Sequence, residues 1–150
     1  RGYNSLAHRT TWLRSDLVIG VCAGSANVLA DVETYAYSND NIPFHLNIQP
    51  HQHNARTTGR YRTTTNVNNK WKVKMTKSYE GPGTYTNFWL ELYNGKNVSD
   101  VVKTRVEDGA RYSPAYSSAS QATVYLTSEN NNDNDVTYTV EGYWDEETGE

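Results

Sequence analysis

Apolar side chains recur at every second position through most of the chain beyond residue 40, the spacing of half-buried β-strands rather than of helices. The longest such run lies between glycines, from Gly83 to Lys96: Phe88, Leu90 and Leu92 share one face, and Tyr85, Asn87, Trp89, Glu91 and Tyr93 share the other. Matching inner faces are predicted for Ile42, Phe44, Leu46 and Ile48, for Trp71, Val73 and Met75, for Ala122, Val124 and Leu126, and for Val136, Tyr138 and Val140. From Arg60 to Val67 the alternation puts Tyr61, Thr63, Thr65 and Val67 on one side and Arg60, Arg62, Thr64 and Asn66 on the other. A weaker run, Val98 to Val106, is expected to pair back on the 83–96 strand through Asn94-Gly95, a dipeptide that tight hairpins favour. Ala110 to Gln121 is expected to be a long connection, and the acidic tail Asp145 to Glu150 to fray. About seven or eight strands result, which predicts an all-β fold, an antiparallel β-sandwich of jelly-roll-like arrangement.

Composition supports strands over helices and changes the expected surface. Hydrophobic residues make up 36% of the 150 residues, with two Phe against twelve Tyr and four Trp, so the aromatic content is mostly amphipathic. Residues 1–30 form a signal-peptide-like segment: Arg9 and Arg14 precede the apolar run Leu17 to Gly24, and Val28-Leu29-Ala30 suits cleavage before Asp31, although Asp16 abuts the run. Residues 31–150 are then one domain, and the protein is expected to be secreted. The single cysteine, Cys22, allows no intrachain disulfide, and Ile19-Gly20-Val21 before it lacks the small residue expected beside a lipidated cysteine.

Net charge is −3, which does not suggest a nucleic-acid binder, but its distribution is uneven. Every charged residue from Asn41 to Tyr79 is basic, including a stripe of Lys70, Lys72 and Lys74, and every charged residue after Arg111 is acidic. Either basic and acidic strands lie side by side and neutralise one another, or the domain is dipolar and meets anionic polymers or lipids with one end.

Candidate chemistry is sparse. His45, His51 and His53 lack accompanying carboxylates or thiols, and the Asn130 to Asp135 cluster lacks the glycine and distal glutamate of a calcium loop, so neither metal nor cofactor is expected. There is no Gly-x-Ser-x-Gly elbow and no phosphate-binding glycine loop. Glu91 and Glu141, each beside an aromatic residue, suit a small glycoside hydrolase if they meet across a cleft. What remains is aromatic surface: Tyr85, Trp89 and Tyr93 along one strand face, extended by Tyr125, Tyr143 and Trp144, to stack sugars or enter a membrane interface. These aromatics equally suit a second, partly buried sheet face.

Asn41-Ile42-Pro43-Phe44, Arg60-Tyr61-Arg62-Thr63-Thr64, Gly83 to Leu90, Ala115 to Ser120 and Gly142-Tyr143-Trp144-Asp145-Glu146-Glu147-Thr148 together resemble a family of small secreted proteins of Bacillus-like Gram-positive bacteria, known only as a domain of unknown function. The resemblance runs from about Asp31 onward, and its closing motif is the most specific part. It implies export from a Gram-positive cell and supplies no catalytic residues. The expectation is therefore a secreted, non-catalytic protein that binds a cell-wall polymer, glycan or anionic lipid, or self-associates, with Tyr85, Trp89, Tyr93, Tyr143, Trp144, Lys70, Lys72 and Lys74 as candidate contacts. A bacteriocin-like toxin that attacks envelopes is the alternative, beside the hydrolase.

Overall fold

The computed structural model describes residues 39–150, so the signal-like segment 1–30 and the start of the expected 31–150 domain lie outside the described residues. Among the described residues nine strands follow in order: β1 (Ile42–Ile48), β2 (Ala55–Arg56), β3 (Arg60–Arg62), β4 (Trp71–Ser78), β5 (Thr86–Glu91), β6 (Val102–Thr104), β7 (Arg111–Ser113), β8 (Ala122–Asn130) and β9 (Tyr138–Asp145). They form two antiparallel sheets, ordered β1-β9-β4-β7 and β2-β8-β5-β6, with β3 also paired to β8. Because β2 and β3 pair with successive stretches of one strand, they occupy a single position in the second sheet. Eight positions remain, four in each sheet, and their order is that of a jelly roll. The nine strands are thus eight with one interrupted near Gly59, where an added Cβ would lie 2.5 Å from Thr123 Cγ2 and 2.8 Å from the Tyr125 ring.

Burial follows the period-two pattern on the inner faces. Phe44, Leu46 and Ile48, Trp71, Val73 and Met75, Phe88 and Leu90, Val124 and Leu126, and Tyr138 and Val140 close one core. The Phe44 and Phe88 rings meet between the sheets at 5.6 Å, tilted by 55°. Several expectations need correction. The 83–96 run is a strand only over Thr86–Glu91; Leu92 to Lys96 curls into a turn closed by Leu92 N–H to Lys96 O (2.9 Å) and Gly95 N–H to Leu92 O (2.9 Å). The 110–121 connection contains β7, which pairs with β4. Val136 is exposed and precedes β9.

The largest correction is the acidic tail, which is anchored rather than frayed. Arg60 grips Glu146 with two hydrogen bonds, Nε to Oε2 (2.5 Å) and Nη2 to Oε1 (3.1 Å). Arg62, fully buried, donates to the carbonyls of Glu146 (2.5 Å), Asn66 (3.1 Å) and Asn69 (2.5 Å). Glu147 accepts from the backbone N–H of Thr63 (3.2 Å) and Thr64 (2.9 Å), and Thr148 Oγ1 donates to Lys70 O (2.8 Å). Asp145 accepts from the N–H groups of Asp40 (2.6 Å) and Glu147 (3.2 Å). Burial, with the neighbouring Glu146 adding to it, pushes the Asp145 carboxyl up to about 7 against the pull of those two N–H groups.

Candidate binding face on the second sheet

Residues of β5 and β8 that point away from the core build the outer face of the second sheet. Opposite one another in register stand Glu91 and Tyr125, Trp89 and Thr127, and Asn87 and Glu129. Arg56 on β2 faces Thr127, Tyr61 on β3 faces Thr123, and Lys103 on β6 faces Asn87. At one end of this face the Arg56 guanidinium lies over two rings, 4.6 Å from the Tyr125 centroid and 5.4 Å from that of Tyr93, whose own centroids are 6.1 Å apart. Arg56 Nη1 also donates to Tyr93 O (3.1 Å). Two exposed cation–π contacts at about 0.5–1 kcal/mol each and a ring pair of about 0.5–1.5 kcal/mol match the roughly 2 kcal/mol of rotamer entropy that an arginine side chain loses. These contacts offset that entropy without a large surplus, while Tyr93 remains 76% exposed and Tyr61, on the same face, 53%.

Across from Tyr125 stands a polar unit. Trp89 Nε1 donates to Glu91 Oε1 (3.0 Å), and Asn54 Nδ2 donates to the same oxygen (3.3 Å). At the other end of the face Lys103 and Arg105 lie 4.7 and 5.2 Å from the Tyr85 centroid, and Arg105 is paired with Asp108 (3.2 Å). Along the strands the charge of this face balances: Arg56 and Lys103 stand against Glu91 and Glu129.

The expected contact residues are dispersed by this geometry. Tyr85, Trp89, Tyr93 and Tyr125 do share the outer face, but Trp89 is only 5% exposed, so the ladder is not continuous. Trp144 is a core residue of the first sheet, and Tyr143 lies on that sheet's outer face with Lys72 Nζ 5.2 Å from its ring. The lysine stripe is dismantled. Lys70 is exposed; Lys72 is buried and donates to Asn39 and Asn41 (2.7 Å to the latter); half-buried Lys74 donates to the carbonyls of Val106 (2.7 Å) and Asp108. Basic and acidic strands do lie side by side, β4 against β9, with Lys72 opposite Asp145 and Lys77 opposite Glu141.

Glu91 and Glu141 occupy the outer faces of different sheets, which stack about 10 Å apart and point these side chains in opposite directions, so they cannot serve as a glycosidase pair. Glu141 is instead engaged by His45 Nδ1 (3.1 Å). His51 sits between Asp133 (3.2 Å) and Asp135 (2.6 Å), and the Asn130 to Asp135 loop is closed by its own amides, Asn130 Nδ2 to Asn134 Oδ1 (3.1 Å) among them. Among the described residues no group of three or more His, Cys, Asp or Glu is placed to hold a metal ion.

Sequence patterning missed Tyr61, Arg56 and Asn54 as members of the face. The Arg-Tyr-Arg alternation carried the signal for Tyr61 but did not say which side faces the core, and Arg62 is buried by the tail it binds. Among characterised proteins and among solved structures, no match was found. A family model described as a protein of unknown function (DUF2712) matches residues 32–148, and the chain belongs to that family.

Proposed function

We propose that this protein is an exported, non-catalytic binding domain that holds a cell-envelope polymer on the outer face of its second sheet. The observation that carries the proposal is the Tyr93–Arg56–Tyr125 cluster, which backs a large aromatic ring on one side and leaves it open to solvent. Amphipathic rings with few free rotors make contact area at low entropic cost. The lysines do not offer a comparable surface, because Lys72 and Lys74 are spent on protein oxygens.

Co-sedimentation with purified Gram-positive cell wall tests this. The wild-type chain is expected to pellet with the wall, while Tyr93→Ala and Arg56→Ala weaken binding about tenfold, the size of a modest hot spot. Absence of wall binding by the folded wild-type protein would remove the proposed function.

A further inference from the structure

We infer that the group recognised on this face is a neutral sugar ring, stacked on Tyr93 with its hydroxyls donating to Glu91 and accepting from Arg56, rather than a phosphate or other anion. The inference rests on the envelope-binding function proposed above and names its ligand chemistry.

Three observations favour it. First, the charges that the strands place on the face are balanced, and Glu91, the carboxylate beside the Tyr93–Tyr125 ring pair, is 6% exposed and fixed by Trp89 and Asn54. An approaching oxyanion would meet that fixed negative charge, whereas a hydroxyl can donate to it. Second, Glu91 supplies acceptors and Arg56 supplies donors within one cluster, since Arg56 lies over Tyr125 and Tyr125 is the cross-strand partner of Glu91. A sugar hydroxyl is both donor and acceptor, which suits this mixture; a phosphate uses only the donors. Third, Arg56 is shared between two rings and bonded to Tyr93 O, which limits the fork it can offer for bidentate grip of an anion. A second copy seated with its two-fold axis through the cluster is disfavoured as occupant, because that placement alone brings Arg56 to Arg56.

The test uses the full chain and the same purified wall in two forms, intact and stripped of its anionic polymers with cold hydrofluoric acid. Binding is expected to survive the stripping within about twofold and to change little between about 0.05 and 0.5 M salt, a range over which attraction between exposed charges is largely screened. Uncharged soluble oligomers of N-acetylglucosamine are expected to displace the protein, and free peptide stems are not. Tyr93→Ala and Glu91→Gln should each weaken binding to the stripped wall about tenfold; Tyr93→Phe, which keeps the ring, should hold within about threefold. Loss of binding on stripping, loss in salt, or displacement by peptide overturns the sugar inference and leaves envelope binding standing. Failure to bind intact wall removes the proposed function itself. A dimer in light scattering that Tyr93→Ala dissociates assigns the face to a second copy and overturns the inference as well.

Discussion

Asp145 holds its proton close to neutrality, which makes one side chain a source of pH-dependent stability. An unfolded aspartate titrates near its ordinary value of 3.8, so between about pH 4 and 7 the folded chain binds a proton that the unfolded chain has lost. Stability from this group is therefore fully present below about pH 4, falls as pH rises, and is gone above about pH 7; the ceiling is on the order of 2–4 kcal/mol. The groups around it are Asp40, Glu146, Glu147, Lys72 and, through Glu146, Arg60. Asp145→Asn removes the charge but keeps only one of the two acceptor oxygens that Asp40 and Glu147 use, so it is expected to cost stability at every pH and to flatten the denaturant-midpoint profile between pH 4 and 7. An unchanged slope would show that the carboxyl does not titrate there. None of this was legible in the sequence, where Asp145 opens a run of acidic residues that polarity alone assigns to solvent. Trp89 was misjudged for a related reason: alternation fixes the face a side chain takes, but not whether Glu91 and Asn54 close over it.

Between elements, the tightest joint is that of β4 with β9. The register slips between Met75 and Lys77, and Gly142 passes so close that an added Cβ would stand 2.0 Å from Lys74 O and 2.8 Å from Phe44 Cζ. No rotamer relieves a clash between Cβ and backbone. Gly142→Ala is expected to cost about 3 kcal/mol or more and to lower the melting midpoint by more than about 10 °C, as calorimetry would record. The inner faces of β1, β4, β8 and most of β9 were legible because burial enforces period two there. The ends of β5 were not, because Leu92 keeps the alternation going after the backbone has already turned. β3 was legible as a strand but not in its burial, since Arg62 is drawn inward by three carbonyls.

For the whole molecule, the jelly-roll order puts β9 in the interior of the first sheet, where both β1 and β4 pair with it. A chain ending at Thr137 would leave β1 and β4 without a common partner and would drop Tyr138, Val140 and Trp144 from the core. That truncation is expected to abolish cooperative unfolding and native circular dichroism, whereas the full chain folds on the slow side for its size, in about milliseconds to seconds, as distant pairings dictate. Sequence patterning reached the two-sheet architecture, since matching inner faces need one another. It could not reach the order of the strands, which depends on pairings such as Ile42 with Trp144, whose partners lie at opposite ends of the described chain.

That interior position has a consequence in time. Synthesis runs from the first residue onward, so β1 through β8 emerge while the place between β1 and β4 is still empty, with two strand edges open to any neighbour. The stretch from Tyr138 to Thr148 then supplies both the missing strand and the residues that lock it to Arg60, Arg62 and Lys70.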